Sequence, residues 1–168
     1  PNPKTRKAVP LTGGAQAALS PPACLMGGGG MVSTIGDYIR FAEMLRRGGV
    51  ADPTLGGVRL LSPRTVSYMA TNHLPNNADL SEFGRPIFSE TTQEGFGFGL
   101  GFATLDDPAR AKTAGSVGDF GWGGAASTTF VVDPVEDLVF VFMTQLLPSS
   151  TYPLRPQIRQ LVRQAIVD

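Results

Sequence analysis

The 168-residue sequence is short of most groups from which active sites are built. Its one cysteine, Cys24, excludes an intrachain disulfide framework and a Cys-rich zinc site. Its one histidine, His73, leaves little from which to assemble a His-dependent triad or metal centre. The only lysines are Lys4, Lys7 and Lys112, and none follows a serine by three residues, so no Ser-x-x-Lys pair exists. Net charge is absent as well, with 14 Lys and Arg against 14 Asp and Glu. That balance gives no electrostatic footprint for nucleic acid or an anionic membrane. No apolar run reaches the ~18 residues that a membrane-spanning helix needs. The opening Pro1-Asn2-Pro3-Lys4-Thr5-Arg6-Lys7 has neither an initiator Met nor a signal-peptide pattern. The expectation is a piece of a longer chain, with its compartment open.

What is plentiful is glycine and proline, 21 and 14 residues. With 42% apolar and 17% charged residues and no three-residue glycine period, the chain is neither a disordered tail nor collagen-like. Its length suits one domain with a real core. The four glycines Gly27 to Gly30 suggest a phosphate loop, but Met31-Val32-Ser33 follows instead of Gly-Lys-Ser/Thr. A close-packed turn is the reading adopted for them.

Residues 1–30, including Gly13-Gly14, read as an extended lead-in. Residues 31–95 read as a helical part and a long loop, and 96–168 as strands with a C-terminal helix. Thr34 with Asp37 three residues on starts a helix carrying Ile35, Tyr38, Ile39, Ala42 and Leu45 on one side. Arg46-Arg47 and then Gly48-Gly49 end it. Ser62 and Pro63 form the cap and first position of a second helix, with Val66, Met69 and Ala70 apolar. Residues 72–95 read as a loop long enough to suggest function.

Residues 96–102 alternate large apolar residues with glycine, a strand with one packed and one bare face. Strands are expected over 125–132 and 138–143, joined by a hairpin loop at 133–137. The unbroken apolar run in the second predicts burial on both faces. A last helix shows Leu154, Ile158, Leu161, Val162, Ala165 and Ile166 on the side expected to cover the sheet. The layout is α+β with about three strands, too few to bury 138–143 and pair both edges. The chain is therefore expected to lack strands and to show an open edge.

Most candidate chemistry fails on its own spacing. Ala114-Gly115-Ser116-Val117-Gly118 misses a nucleophile elbow by one residue. Lys112-Thr113-Ala114-Gly115 is a broken Lys-Thr-Gly in a polar turn, not at a strand start. His73 reads as a helix-end or loop residue. Asp106-Asp107 and Glu136-Asp137 read as solvated turn residues rather than an acid–base pair. Arg155, Arg159 and Arg163 read as a solvated stripe, or as partners for acids on a missing segment. What remains is Gly121-Trp122-Gly123-Gly124-Ala125, read as leading into a strand. Glycines there would bare backbone N–H groups beside a broad Trp wall, as an oxyanion-stabilising edge requires. A hairpin turn with a core Trp is the equal alternative.

Two blocks resemble a known family. One is Gly28-Gly29-Gly30-Met31-Val32-Ser33-Thr34-Ile35-Gly36-Asp37-Tyr38 through Phe41. The other is Gly121-Trp122-Gly123-Gly124-Ala125 through Asp133-Pro134, then Asp137-Leu138-Val139-Phe140-Val141. In their order and spacing they are similar to the C-terminal part of the class C β-lactamase and DD-peptidase superfamily of serine hydrolases, above all family VIII carboxylesterases. Leu60-Leu61-Ser62-Pro63 and Asn72-His73-Leu74-Pro75 fit between them. The resemblance implies a β-lactamase-like fold, an antiparallel sheet flanked by helices, with the N-terminal strands outside this chain.

It also implies acyl transfer by a serine, a lysine and a tyrosine. None of Tyr38, Tyr68 and Tyr152 sits in a Tyr-x-Asn setting, so all three groups are expected upstream. On this resemblance Ala125 gives an oxyanion N–H, while Trp122, Gly123 and Gly124 form a substrate-binding edge. Trp122 stands where lactamases carry a lysine, which tilts the expectation from lactams toward esters. No cofactor, metal or nucleic acid is implied. The expected partners are the N-terminal part of the same hydrolase and a small ester or lactam. A non-catalytic binding domain of this fold, a β-lactamase, a DD-peptidase and an acyltransferase are the alternatives.

Overall fold

The computed structural model describes residues 5, 7–11, 19–83 and 93–167. Gly13-Gly14 and residues 84–92 of the long loop lie outside these. Helix α1 (Ile35–Arg46) begins where the Thr34 side chain accepts from the Asp37 N–H at 3.1 Å. Helix α2 (Pro63–Met69) begins where Ser62 accepts from the Thr65 N–H at 3.0 Å. Both caps satisfy a first-turn donor with no intrahelical acceptor, as read from the sequence. A four-residue helix α3 (Leu80–Phe83) follows.

The sheet has five antiparallel strands in sequential order: β1 (Phe96–Phe98), β2 (Ala103–Leu105), β3 (Phe120–Gly123), β4 (Thr129–Asp133) and β5 (Leu138–Phe142). A short helix α4 (Pro108–Ala111) separates β2 from β3, and helix α5 (Leu154–Gln164) closes the described chain. Among the described residues the count of about three strands is thus corrected to five. Residues 96–102 are not one strand, because the chain reverses after Phe98. Gly99 donates to Phe102 O at 2.8 Å, and Gly101 takes φ +99°. The bare face does receive a backbone: a Cβ at Gly99 would collide with Met69 O, and Leu100 N–H donates to that same carbonyl.

The core lies between α1, α2 and the sheet. Ala42, Met44 and Leu45 of α1 and Val66 of α2 are buried with Phe102, Phe120, Phe130 and Val132. Tyr38, Phe102 and Phe130 meet edge-on, with ring centroids 5.3 and 6.0 Å from Phe130. Apolar area removed from water carries this packing.

Strand β5 departs from its expected burial on both faces. All five of its residues are half-buried, and it pairs only with β4 among the described residues. An edge strand has one flank without a neighbour, so its alternate side chains cannot be enclosed. The Gly27 to Gly30 turn is also not close-packed. A Cβ at Gly27, Gly28 or Gly29 would meet nothing, and only Gly30 is crowded, by Met26 O.

The largest correction concerns α5. Its sheet-facing row is Arg155, Arg159 and Arg163; of the expected apolar side, Leu154, Ile158 and Val162 are half-buried beside that row, while Leu161, 64% exposed, Ala165 and Ile166 lie at the surface. The arginines are neither solvated nor waiting for a missing segment. Asp119, just before β3, and Asp133, ending β4, are fully buried beneath the helix. Arg159 Nη1 donates to both Asp119 oxygens, at 3.0 and 2.9 Å, and Arg163 Nη2 to Asp119 Oδ2 at 2.9 Å. Arg163 Nη1 lies 2.5 Å from Asp133 Oδ2, though off the hydrogen-bond angle. Two buried carboxylates demand counter-charges, and the helix turns its cationic row inward to supply them.

Candidate functional site

The Trp122-Gly123-Gly124-Ala125 segment runs off the end of β3 into the turn toward β4, rather than into a strand. Strand β3 already ends at Gly123, and β4 starts at Thr129. Gly124 N–H donates to Thr128 O at 3.0 Å and Ser127 N–H to Gly124 O at 3.0 Å. Ser127 takes the left-handed conformation, φ +66°. Those bonds and that conformation define a three-residue hairpin loop of type I turn plus left-handed residue. A non-glycine residue at positive φ is costly. Ser127 is held there by full burial and by its Oγ donating to Leu146 O at 2.8 Å.

The donors of this loop are used unevenly. Gly124 and Ser127 spend their N–H groups on the loop itself, whereas Ala125 N–H has no acceptor among the described residues. Ala125 is itself exposed. A donor fixed in place before the reaction stabilises developing negative charge without reorganising.

Clefts lie around this loop. One of about 560 Å³ is lined by Trp122, Gly123, Gly124 and Ala125 together with Phe96, Phe140, Pro148 and Arg155. A smaller one of about 210 Å³ is lined by Tyr38, Trp122, Gly123, Gly124 and Met143. Trp122, 39% exposed, packs edge-on against Phe98 at 4.9 Å between ring centroids. It lines both clefts and is not the core residue of the alternative reading, although the hairpin turn of that reading is what the chain forms here. Burial pushes the Tyr38 phenol above its ordinary pKa, which keeps it protonated and unsuited to act as a base.

The other candidates have structural partners. His73 Nε2 lies 2.8 Å from Tyr68 O, and its ring packs on Tyr68. Lys112 sits past the end of α4 at φ +53°, away from any strand start. Asp107 caps α4 by accepting from Ala109 and Arg110 N–H, both at 3.0 Å. Asp106 accepts from Asn72 Nδ2 and Thr104 Oγ1, both at 2.9 Å. Asp137 pairs with Arg46. In the long loop, Asn72 Oδ1 accepts from Leu74 N–H at 3.0 Å and Phe98 N–H at 3.2 Å, fastening its start to β1. No cluster of three metal-ligating side chains exists among the described residues.

Arg155 is the residue that reading the sequence missed at this site. Its Nε donates to Thr128 O at 3.2 Å and its Nη2 to Gly124 O, the two carbonyls flanking the loop. A Cβ on Gly123 would fall on its guanidinium. The only signal in the sequence was the four-residue spacing shared with Arg159 and Arg163.

Known proteins share sequence and fold with this chain. The chain is 37% identical over 134 residues to Protein Rv1367c of Mycobacterium tuberculosis, covering 77% of this chain and 31% of that protein. It is 31% identical over 144 residues to Esterase EstB of Burkholderia gladioli, covering 81% of this chain and 32% of that protein. The chain thus spans about a third of the length of the curated relatives it matches. Its fold superposes on the structure of EstCE1, a hydrolase with promiscuous acyltransferase activity, with TM-score 0.59 and 27% identity. That likeness covers 83% of this chain and 31% of EstCE1. The Beta-lactamase family model matches residues 1–164. With the open antiparallel sheet flanked by helices, this match shows that the chain belongs to the Beta-lactamase family.

Proposed function

We propose that this chain forms one wall of the active site of a serine hydrolase that cleaves carboxylic esters through an acyl-enzyme. The observation that carries the reading is the Ala125 N–H, on an exposed residue and without an acceptor among the described residues, in a loop whose Gly124 and Ser127 N–H groups are spent. In the mechanism, a serine attacks the ester carbonyl and the oxygen becomes an oxyanion. Ala125 N–H stabilises that charge as one donor, and the serine's own N–H is the second. Trp122, Gly123 and Gly124 flank the scissile group. The 168 residues hold no Ser-x-x-Lys, so the nucleophile, the lysine and the catalytic tyrosine come from upstream sequence. The partner of this chain is then the N-terminal part of the same hydrolase.

The ester preference is supported by Trp122, which puts an uncharged ring where a lysine would hold a lactam carboxylate. The similarity to Esterase EstB points the same way. A fluorophosphonate probe tests the assignment. It should label the intact protein on a serine upstream of residue 1 and leave this chain unlabelled when expressed alone. Stoichiometric labelling of the isolated chain would sink the reading. Turnover of a p-nitrophenyl ester in preference to nitrocefin separates the esterase from a β-lactamase.

A further inference from the structure

We infer that Arg155 is a positioning residue for the oxyanion donor, and that Gly123 is glycine chiefly to admit its guanidinium. This rests on the assignment of Ala125 N–H to the oxyanion site.

The geometry is specific. The loop from Gly124 to Thr128 has two flanking carbonyls, and Arg155 donates to both from one planar group. A guanidinium offers donors in a fixed fork, so two bonds from it fix an orientation as well as a distance. The Ala125 N–H belongs to the peptide unit whose carbonyl is Gly124 O. Holding that oxygen therefore sets the plane in which the N–H points.

The helix carrying Arg155 is itself anchored at its other end, where Arg159 and Arg163 bind the buried Asp119. The clamp thus hangs from a fixed support. Gly123 alternates with Trp122 along β3, and a Cβ there would displace the guanidinium. Two readings of that glycine then differ. If it clears space for substrate, a methyl group at 123 harms binding whether or not Arg155 is present. If it admits Arg155, the harm vanishes once Arg155 is gone.

The test uses the intact protein with a p-nitrophenyl ester. Arg155→Ala should lower kcat about 10- to 100-fold with KM changed less than about threefold, since a misplaced donor weakens the transition state more than substrate binding. Arg155→Lys, which keeps the charge but not the fork, should recover only part of the loss. Gly123→Ala should lower kcat to a similar degree. The double variant should be no worse than either single one, because both break one contact. Amide hydrogen exchange gives a readout independent of turnover. In Arg155→Ala, residues 124–128 should exchange faster while α1 keeps its protection.

An unchanged kcat in a folded Arg155→Ala variant overturns the proposal. So does full additivity of the two substitutions, or unchanged exchange over 124–128. A wild-type protein that exchanges as expected but turns over no ester instead overturns the esterase reading, leaving the clamp in place.

Discussion

The two ends of α5 use the same residue type for different ends. At its C-terminal half, Arg159 and Arg163 meet carboxylates, and charge cancels charge in a buried cluster with Asp119 and Asp133. At its N-terminal end, Arg155 meets the backbone carbonyls of Gly124 and Thr128. The first arrangement fastens helix to sheet. The second fixes a loop whose own donor stays available. A buried ion pair is a weak source of stability against apolar packing, yet removing one partner strands the other at high cost. The cluster is therefore a fastening that fails abruptly, whereas the loop contact is one whose loss moves a few atoms.

The most severe way to break this contrast is Asp119→Ala. It leaves Arg159 and Arg163 buried without their shared counter-charge and should destabilise the protein by about 3–5 kcal/mol, read from urea unfolding. A loss below about 1 kcal/mol would mean that the cluster is not a fastening.

A finer probe separates the two acids by pH. Burial pushes the Asp133 carboxyl up, but the Glu136 N–H, the Ser116 hydroxyl and Arg163 outweigh it and hold the group below its ordinary value. Its folded pKa is then lower than its unfolded one, so the unfolded chain binds more protons. The stabilisation is complete above about pH 4 and is lost as pH falls through the folded value. Asp119 has the opposite sign: burial raises it, against the pull of Arg159 and Arg163. Its contribution is present at low pH and declines as pH rises through the folded value. Asp133→Asn should accordingly flatten the acid limb of stability against pH, while Asp119→Asn should leave that limb in place. Equal effects of the two substitutions on the acid limb would contradict the assignment.

The smallest effect expected is that of Ser62→Ala, which touches neither end of α5. Loss of its bond to the Thr65 N–H should cost about 1 kcal/mol in thermal or urea unfolding. Ester turnover should be unchanged, since no residue of α2 lines the two clefts around the loop.

How much was legible in the sequence follows from how local each determinant is. The starts of α1 and α2 are written in Thr34, Asp37, Ser62 and Pro63, all within one turn of the helix they cap. The β4–β5 hairpin is equally local. Asp133 Oδ1 accepts from Val135 and Glu136 N–H at 2.9 and 3.1 Å, so its loop announces itself. Strands β2 and β3 escape because one has three residues and the other is half glycine. Their stability comes from pairing, and Thr104 opposite Phe120 is not a local fact. The orientation of α5 escapes for a sharper reason. Counting apolar residues puts Leu161 inward, but the rotation is decided by Asp119 and Asp133, far away in the chain.

At the site, Trp122-Gly123-Gly124-Ala125 was recognisable, though its place in a turn stood only level with a strand start. Glycines there read as clearance for a ligand; the structure puts a guanidinium against one of them. The contact partner lies on a helix about 30 residues downstream, beyond any short-range pattern.

The oxyanion assignment requires Ala125 N–H to meet the reacting oxygen. The direct measurement is a structure of the intact protein trapped with a phosphonate ester, whose tetrahedral phosphorus mimics the intermediate. The phosphoryl oxygen should lie about 2.7–3.1 Å from Ala125 N, the spacing of an oxyanion donor. An oxygen held by other donors, with Ala125 N–H still open to solvent, would contradict that assignment.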